Sequence, residues 1–99
     1  MTIDTVKADD QVQLNVHGKI TAVAMNDFQS EILKAFHVAK TVTINFADTD
    51  YISSAGLRAL LIGQKTAESK GGKFYIINAN DTIMDVFRVT GLEKALNIQ

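Results

Sequence analysis

The sequence predicts an α/β fold, with a small, mostly parallel sheet of four strands and helices packed mainly on one face. Three observations carry this reading. Segments with strand periodicity alternate along the chain with segments of helix periodicity. The connections between the central strands are of helix length, which demands parallel pairing through right-handed crossovers. The strands alternate apolar and polar residues instead of running as unbroken apolar blocks, so one face of the sheet meets helices and the other meets water.

The elements follow in order. Thr2 to Val6 adds an edge strand, and Asp9-Asp10 forms a turn. Residues 11 to 16 read Gln, Val, Gln, Leu, Asn, Val, the period of a half-buried strand. Met25, Phe28, Ile32, Leu33 and Phe36 recur at three and four, which places a helix from about Val23 to Val38 with that stripe inward as packing, not as a cofactor pocket. Residues 41 to 46 alternate again, and Ala47 to Ile52 reads as a polar turn. A long helix then runs from about Ser54 to Lys70 and stops at Gly71-Gly72. The strand Lys73 to Asn78 follows. A last helix starts after Asp81 as N-cap, turns Ile83, Val86 and Phe87 inward, and ends at Gly91; Leu92, Ala95, Leu96 and Ile98 form a short closing segment. No internal repeat, low-complexity tract or charge block divides residues 1–99, which form one domain.

Composition bounds the function. The 99 residues carry 10 Lys+Arg against 11 Asp+Glu, with no Cys and no Pro. A formal charge of −1 argues against wrapping nucleic acid or lying on an anionic membrane. The lack of thiols excludes Cys nucleophiles and thiolate metal sites. The first ten residues bear acids where a secretory signal needs bases and an apolar run, and Ala59-Leu60-Leu61-Ile62, the longest apolar stretch of the long helix, is far below the ~20 residues that cross a bilayer. A cytoplasmic protein is expected, so the sequon Asn80-Asp81-Thr82 is given no role.

Catalytic patterns are missing in turn. His17 and His37 lie on different elements without metal-ligand spacing, so no metal is expected. Gly71-Gly72-Lys73 fails as a P-loop, because Ala67 stands where its first glycine belongs and Phe74 follows the lysine. Neither Ser53 nor Ser54 sits in a nucleophile elbow. No acid, base and pocket assemble into a hydrolase or a nucleotide-binding enzyme, and no cofactor is expected.

What remains is Tyr51-Ile52-Ser53-Ser54-Ala55-Gly56-Leu57, a pair of hydroxyls at the head of an amphipathic helix, where backbone amides point outward unpaired. One reading is an N-cap. The other is a phosphorylation site, since an added phosphate is favourable at the amino end of a helix. On the helical wheel Arg58, Ile62, Lys65 and Ser69 fall on one side, while Leu57, Leu60, Leu61 and Ala67 gather toward the core. The first stripe is either a solvated face or a small partner-binding surface, with Ile62 as an apolar anchor and the cations setting orientation.

The segment resembles the STAS domain, specifically the small stand-alone anti-sigma-factor antagonists of bacteria. The likeness runs through Gly18-Lys19-Ile20, Thr43-Ile44-Asn45-Phe46, Tyr51 to Leu61, Gly71-Gly72 and Thr90-Gly91-Leu92. It implies a non-enzymatic binding module. Its unmodified form would capture an anti-sigma factor of the histidine-kinase-like ATPase type and free a sigma factor. That ATPase would phosphorylate the serine at the helix head, and a serine phosphatase would reverse it. Aligned on Gly56-Leu57, the phosphoacceptor falls on Ser54, with Ser53 as second choice. Two positions depart from the family pattern: Ser53 stands where Asp commonly precedes the acceptor, and Thr21 where Asp often follows the second strand. The implied partner surface is Thr21, Ser53, Ser54, Arg58, Ile62 and Lys65. The alternative is a STAS accessory subunit of a transport ATPase, such as one for phospholipids, in which the same surface docks without phosphorylation.

Overall fold

A computed structural model describes all 99 residues. The elements are β1 (Thr2–Ala8), β2 (Gln11–Ile20), α1 (Met25–Val38), β3 (Thr41–Ile52), α2 (Ser54–Lys70), β4 (Lys73–Ile77), α3 (Asp81–Thr90), a 3-10 turn (Leu92–Lys94) and β5 (Asn97–Ile98). The strands form one sheet in the order β1-β2-β3-β4-β5. β1 runs antiparallel to β2, and every other neighbouring pair is parallel.

The sheet has five strands, not four. Asn97 and Ile98 pair with Tyr75 and Ile76, and the Gln99 amide donates to the Ile76 carbonyl at 2.8 Å. Two residues are too few to show an alternating period, so only the edge offered by β4 turns this closing segment into a strand.

A second difference concerns Ala47 to Ile52, which continues β3 instead of forming a turn. Its pairing with β2 shifts register between Asn15 and His17 and again between Gly18 and Lys19. These irregularities interrupt the alternation and let polar residues sit in a strand. Gly18, at φ 90°, supplies backbone freedom there. Thr49 is buried, and its hydroxyl donates to the Val16 carbonyl at 2.9 Å. His17 sits between two carboxylates. Its Nε2 lies 2.9 Å from Asp4 on β1, and its Nδ1 lies 2.9 Å from Asp48 on β3.

Both alternating strands direct their apolar sets to one side: Val12, Leu14 and Val16 from β2, Val42, Ile44 and Phe46 from β3, joined by Phe74 and Ile76 from β4. Phe28, Ile32 and Phe36 of α1, Leu57, Leu60 and Ala67 of α2, and Ile83 and Phe87 of α3 pack against them in a single cluster of 22 residues. Ring pairs Phe28–Phe46 and Phe36–Phe74, with centroids 6.5 and 6.0 Å apart, fasten α1 to β3 and to β4. The other sheet face is polar and carries an amide ladder. Gln13 and Asn45 both donate to Asn15 Oδ1 at 2.8 and 2.9 Å, and Asn78 donates to Asn45 Oδ1 at 2.9 Å.

Helix starts depart slightly from the pattern. α1 begins at Met25, because the Ala24 amide turns back onto Thr21 and leaves Val23 outside the helix. The cap of α3 is Asn80, not Asp81. Its Oδ1 accepts from the Ile83 amide at 2.9 Å while its Nδ2 donates to the Thr49 carbonyl at 3.2 Å. An amide side chain both accepts and donates, whereas an ionised carboxylate only accepts, so Asn, unlike Asp, can cap α3 and tie it to β3 at once. At the other end of α2, Gly71 takes the left-handed C-cap conformation. Gly72 passes so close to the Lys40 carbonyl that no side chain fits there.

Candidate functional site

The carboxyl ends of β2 and β3 lie side by side, with Ile20 paired to Ile52. The chain leaving β3 stays tied to β2, because the Ser53 amide donates to the Ile20 carbonyl at 2.8 Å. Ser53 is extended, at φ −80° and ψ 167°, and its Oγ accepts from the Gly56 amide at 3.1 Å. It is therefore the N-cap of α2, and only 9% of it is exposed. Ser54 is the first helical residue, and it faces solvent. The two readings left open by the sequence separate in space: the capping role belongs to Ser53, and the accessible hydroxyl to Ser54.

Gly56 lets the helix head sit this low on the sheet. A Cβ there would lie 2.7 Å from Ile52 Cγ1 and 2.9 Å from Ile20 Cγ2, inside contact distance of both strand ends. The position therefore sets the height of Ser54 above the sheet rim. A glycine inside a helical stretch is the sequence signal for such close approach, and α2 has a second at Gly63, where a Cβ would lie 2.7 Å from Phe74 Cζ.

Thr21 follows Ile20 directly, so the Ile20–Ser53 bond brings the loop after β2 up to the head of α2. Thr21 is exposed, and its Oγ1 accepts from the Ala24 amide at 3.3 Å. Arg58 and Lys65 are exposed along α2. Ile62 is half-buried rather than free on the surface, and Leu61 is half-buried as well. The apolar member of the stripe thus keeps only part of its surface open, while Arg58 and Lys65 remain fully available. Two exposed apolar residues near this rim are not among the expected partner-surface residues: Val23, 92% exposed in the loop before α1, and Tyr51, 47% exposed at the end of β3. Periodicity marks neither, because Val23 lies in a turn and Tyr51 lies in the part of β3 where the shifted register breaks the alternation.

The first turn of α2 carries no acidic side chain. The neighbouring Lys19 and Asp50 hold each other at 3.3 Å on the strand side. The head of α2 therefore offers a hydroxyl, a helix dipole and one guanidinium, an arrangement that favours added negative charge in the isolated chain. No helix is long and apolar enough to cross a membrane.

Comparison with known proteins extends this picture. The model of the family described as "Mlab, STAS domain" matches residues 3–98. Among curated proteins, the anti-sigma-B factor antagonist of Staphylococcus epidermidis is 27% identical over 99% of this chain and 92% of its own length. That of Bacillus subtilis is 20% identical over 99% and 90%. Among solved structures, a Thermotoga maritima protein superposes with a TM-score of 0.89 at 19% identity, over 97% of this chain and 84% of its own. SpoIIAA, an anti-sigma factor antagonist, aligns in its unphosphorylated form with a TM-score of 0.79 at 17% identity, over 99% and 87% of the two chains. The phosphorylated form of SpoIIAA, from Bacillus, gives 0.77 at 19% identity, over 99% and 91%. These structural likenesses establish the shared fold. With a family match that spans nearly the whole sequence, the chain belongs to the STAS-domain family.

Proposed function

We propose that this protein is an anti-sigma-factor antagonist that works in the cytoplasm as a binding module switched by phosphorylation of Ser54. The observation that carries the reading is the division of labour at the head of α2: Ser53 is buried and occupied as cap, and Ser54 is exposed one residue later. The partner is an anti-sigma factor of the histidine-kinase-like ATPase type, and a serine phosphatase resets the switch. Curated relatives that bear the antagonist name over nearly their full length support this assignment over an accessory subunit of a transport ATPase. A structural relative is known in both unphosphorylated and phosphorylated forms, which supports the switch.

In the unmodified state Thr21, Ser53, Ser54, Arg58, Ile62 and Lys65 form or support the docking surface. The kinase step forms a bond from Ser54 Oγ to the γ-phosphorus of ATP and breaks the bond to the bridging oxygen. ADP leaves, and the hydroxyl proton passes to a base on the kinase. In the free protein the new charge of about −1.5 to −2 sits at the positive end of α2, a favourable term of about 0.3–1 kcal/mol. Docking would strip water from that phosphate at a cost of several kcal/mol, and ~1.4 kcal/mol is a tenfold change in affinity. The phosphate therefore ends docking without unfolding the domain.

Incubation with ATP and candidate anti-sigma ATPases is expected to add one phosphate by intact mass, absent in Ser54→Ala. Ser54→Asp is expected to lose partner binding while keeping its melting temperature. Normal partner affinity together with a collapsed melting temperature in Ser54→Asp would refute the block. Tight docking to a transport ATPase with no phosphate added would favour the accessory-subunit reading.

A further inference from the structure

We propose that Arg58 is the internal receptor for the phosphate on Ser54, so that modification withdraws the guanidinium from the partner surface at the same moment as it adds charge. This rests on Ser54 being the modified residue. Ser54 and Arg58 are both exposed and stand four residues apart on α2, the spacing that brings side chains together on one helix face. The negative group lies on the N-terminal side of the positive one, which is the more favourable order.

Arg58 is uncommitted. It forms no ion pair and no side-chain hydrogen bond, whereas the chain's other arginine, Arg88, is held 2.6 Å from Asp85 and 3.5 Å from Glu93. No acid in the first turn of α2 competes for it. The other nearby cations are poorly placed to substitute. Lys19 is paired with Asp50 at 3.3 Å. Lys65 is eleven residues beyond Ser54, about 16 Å along the helix and past the Debye length of about 8 Å at physiological salt. A guanidinium presents a planar fork of donors that matches two phosphate oxygens, so the local pairing is directional as well as electrostatic.

The consequence is a two-part switch. Before modification, Arg58 is free to meet a carboxylate on the partner. After modification it is engaged by its own helix, and the partner loses that contact in addition to facing the phosphate. The partner surface over Arg58 is accordingly acidic.

The test installs phosphoserine at position 54 by genetic incorporation, so that no kinase is needed, and follows the phosphorus-31 resonance through its second ionisation at low salt. Relative to the otherwise unchanged phosphoprotein, Arg58→Gln is expected to move that ionisation upward by about 0.15–0.4 pH unit, the size an i,i+4 pair supplies. Arg58→Lys keeps the charge without the fork and is expected to fall between the two, and Lys65→Gln to move the titration by clearly less than Arg58→Gln, because its charge lies farther along the helix. High salt should shrink the Arg58→Gln difference. Superimposable titrations of the parent and Arg58→Gln at low salt would overturn the proposal, as would an equal shift in Lys65→Gln. Either result leaves the phosphorylation of Ser54 standing, because that is read separately by intact mass after incubation with an ATPase and ATP.

Discussion

Replacing each hydroxyl at the head of α2 by alanine, one at a time, separates the structural serine from the exposed one. Ser53 contributes an acceptor at 3.1 Å from the Gly56 amide in a place where both residues are buried. Loss of an N-cap costs about 1 kcal/mol, within a range of about 0.5–2. Burial pushes this cap toward the upper end, because water cannot easily replace the lost acceptor and an unsatisfied buried amide costs about 1–3 kcal/mol. Ser53→Ala should therefore destabilise the domain by about 1–2 kcal/mol. For a chain of this size each kcal/mol lowers the melting temperature by about 4–8 °C, so a fall of about 5–15 °C is expected. Ser54→Ala removes a hydroxyl that has no partner in the fold and inserts a good helix former at an exposed site, and it should stay within about 0.5 kcal/mol of the parent. Urea denaturation and thermal melting followed by circular dichroism, in one buffer for both variants and the parent, read the difference directly. If Ser54→Ala falls as far as Ser53→Ala, or if Ser53→Ala is silent, the assignment of cap and free hydroxyl is wrong.

Two glycine substitutions probe the surrounding frame. Gly56→Ala gains up to about 1 kcal/mol in helix propensity but places a methyl 2.7 Å from Ile52 and 2.9 Å from Ile20. Overpacking of about 1–3 kcal/mol should win, giving a lower urea midpoint together with weaker partner binding as the helix head lifts; an unchanged midpoint would count against the close approach. Gly72→Ala drives a Cβ into the Lys40 carbonyl, and that same carbonyl accepts from the Lys73 amide at 2.9 Å at the entrance to β4. Because the obstacle is backbone, a loss of at least about 2 kcal/mol is expected by urea denaturation, whereas Gly71→Ala, with nothing within 4 Å, should show only the smaller cost of a left-handed residue.

Much of this molecule is legible in one dimension because strong local periods coincide with burial. Val12, Leu14 and Val16 on β2, Val42, Ile44 and Phe46 on β3, and Phe28, Ile32 and Phe36 on α1 all point inward as their spacing requires. The bounds of α2 are legible for the same reason, helped by Gly71 at its end. Ala47 to Ile52 misleads because a register shift breaks the alternation on which strand reading depends, and the pairing that restores it is with β2, thirty residues earlier. Asn97 and Ile98 mislead because a strand of two residues has no period of its own and exists through the edge of β4.

At the site, residue types identify the head of α2, and the resemblance to the anti-sigma-factor antagonists, aligned on Gly56-Leu57, points to Ser54. They leave open which serine caps the helix and which faces water, since both hydroxyls can serve either end. Tertiary structure decides it. The bond from the Ser53 amide to the Ile20 carbonyl fixes the chain as it leaves β3, and that anchoring turns the Ser53 hydroxyl inward onto Gly56 and Ser54 outward. The same anchoring gathers Thr21, from a segment more than thirty residues earlier, onto the rim with Ser54 and places Arg58 one turn away without a partner. A sequence thus determines which side chains can alternate, cap or carry charge. Which of two neighbouring hydroxyls is spent within the fold depends on contacts between distant strands, and only the folded chain brings those together.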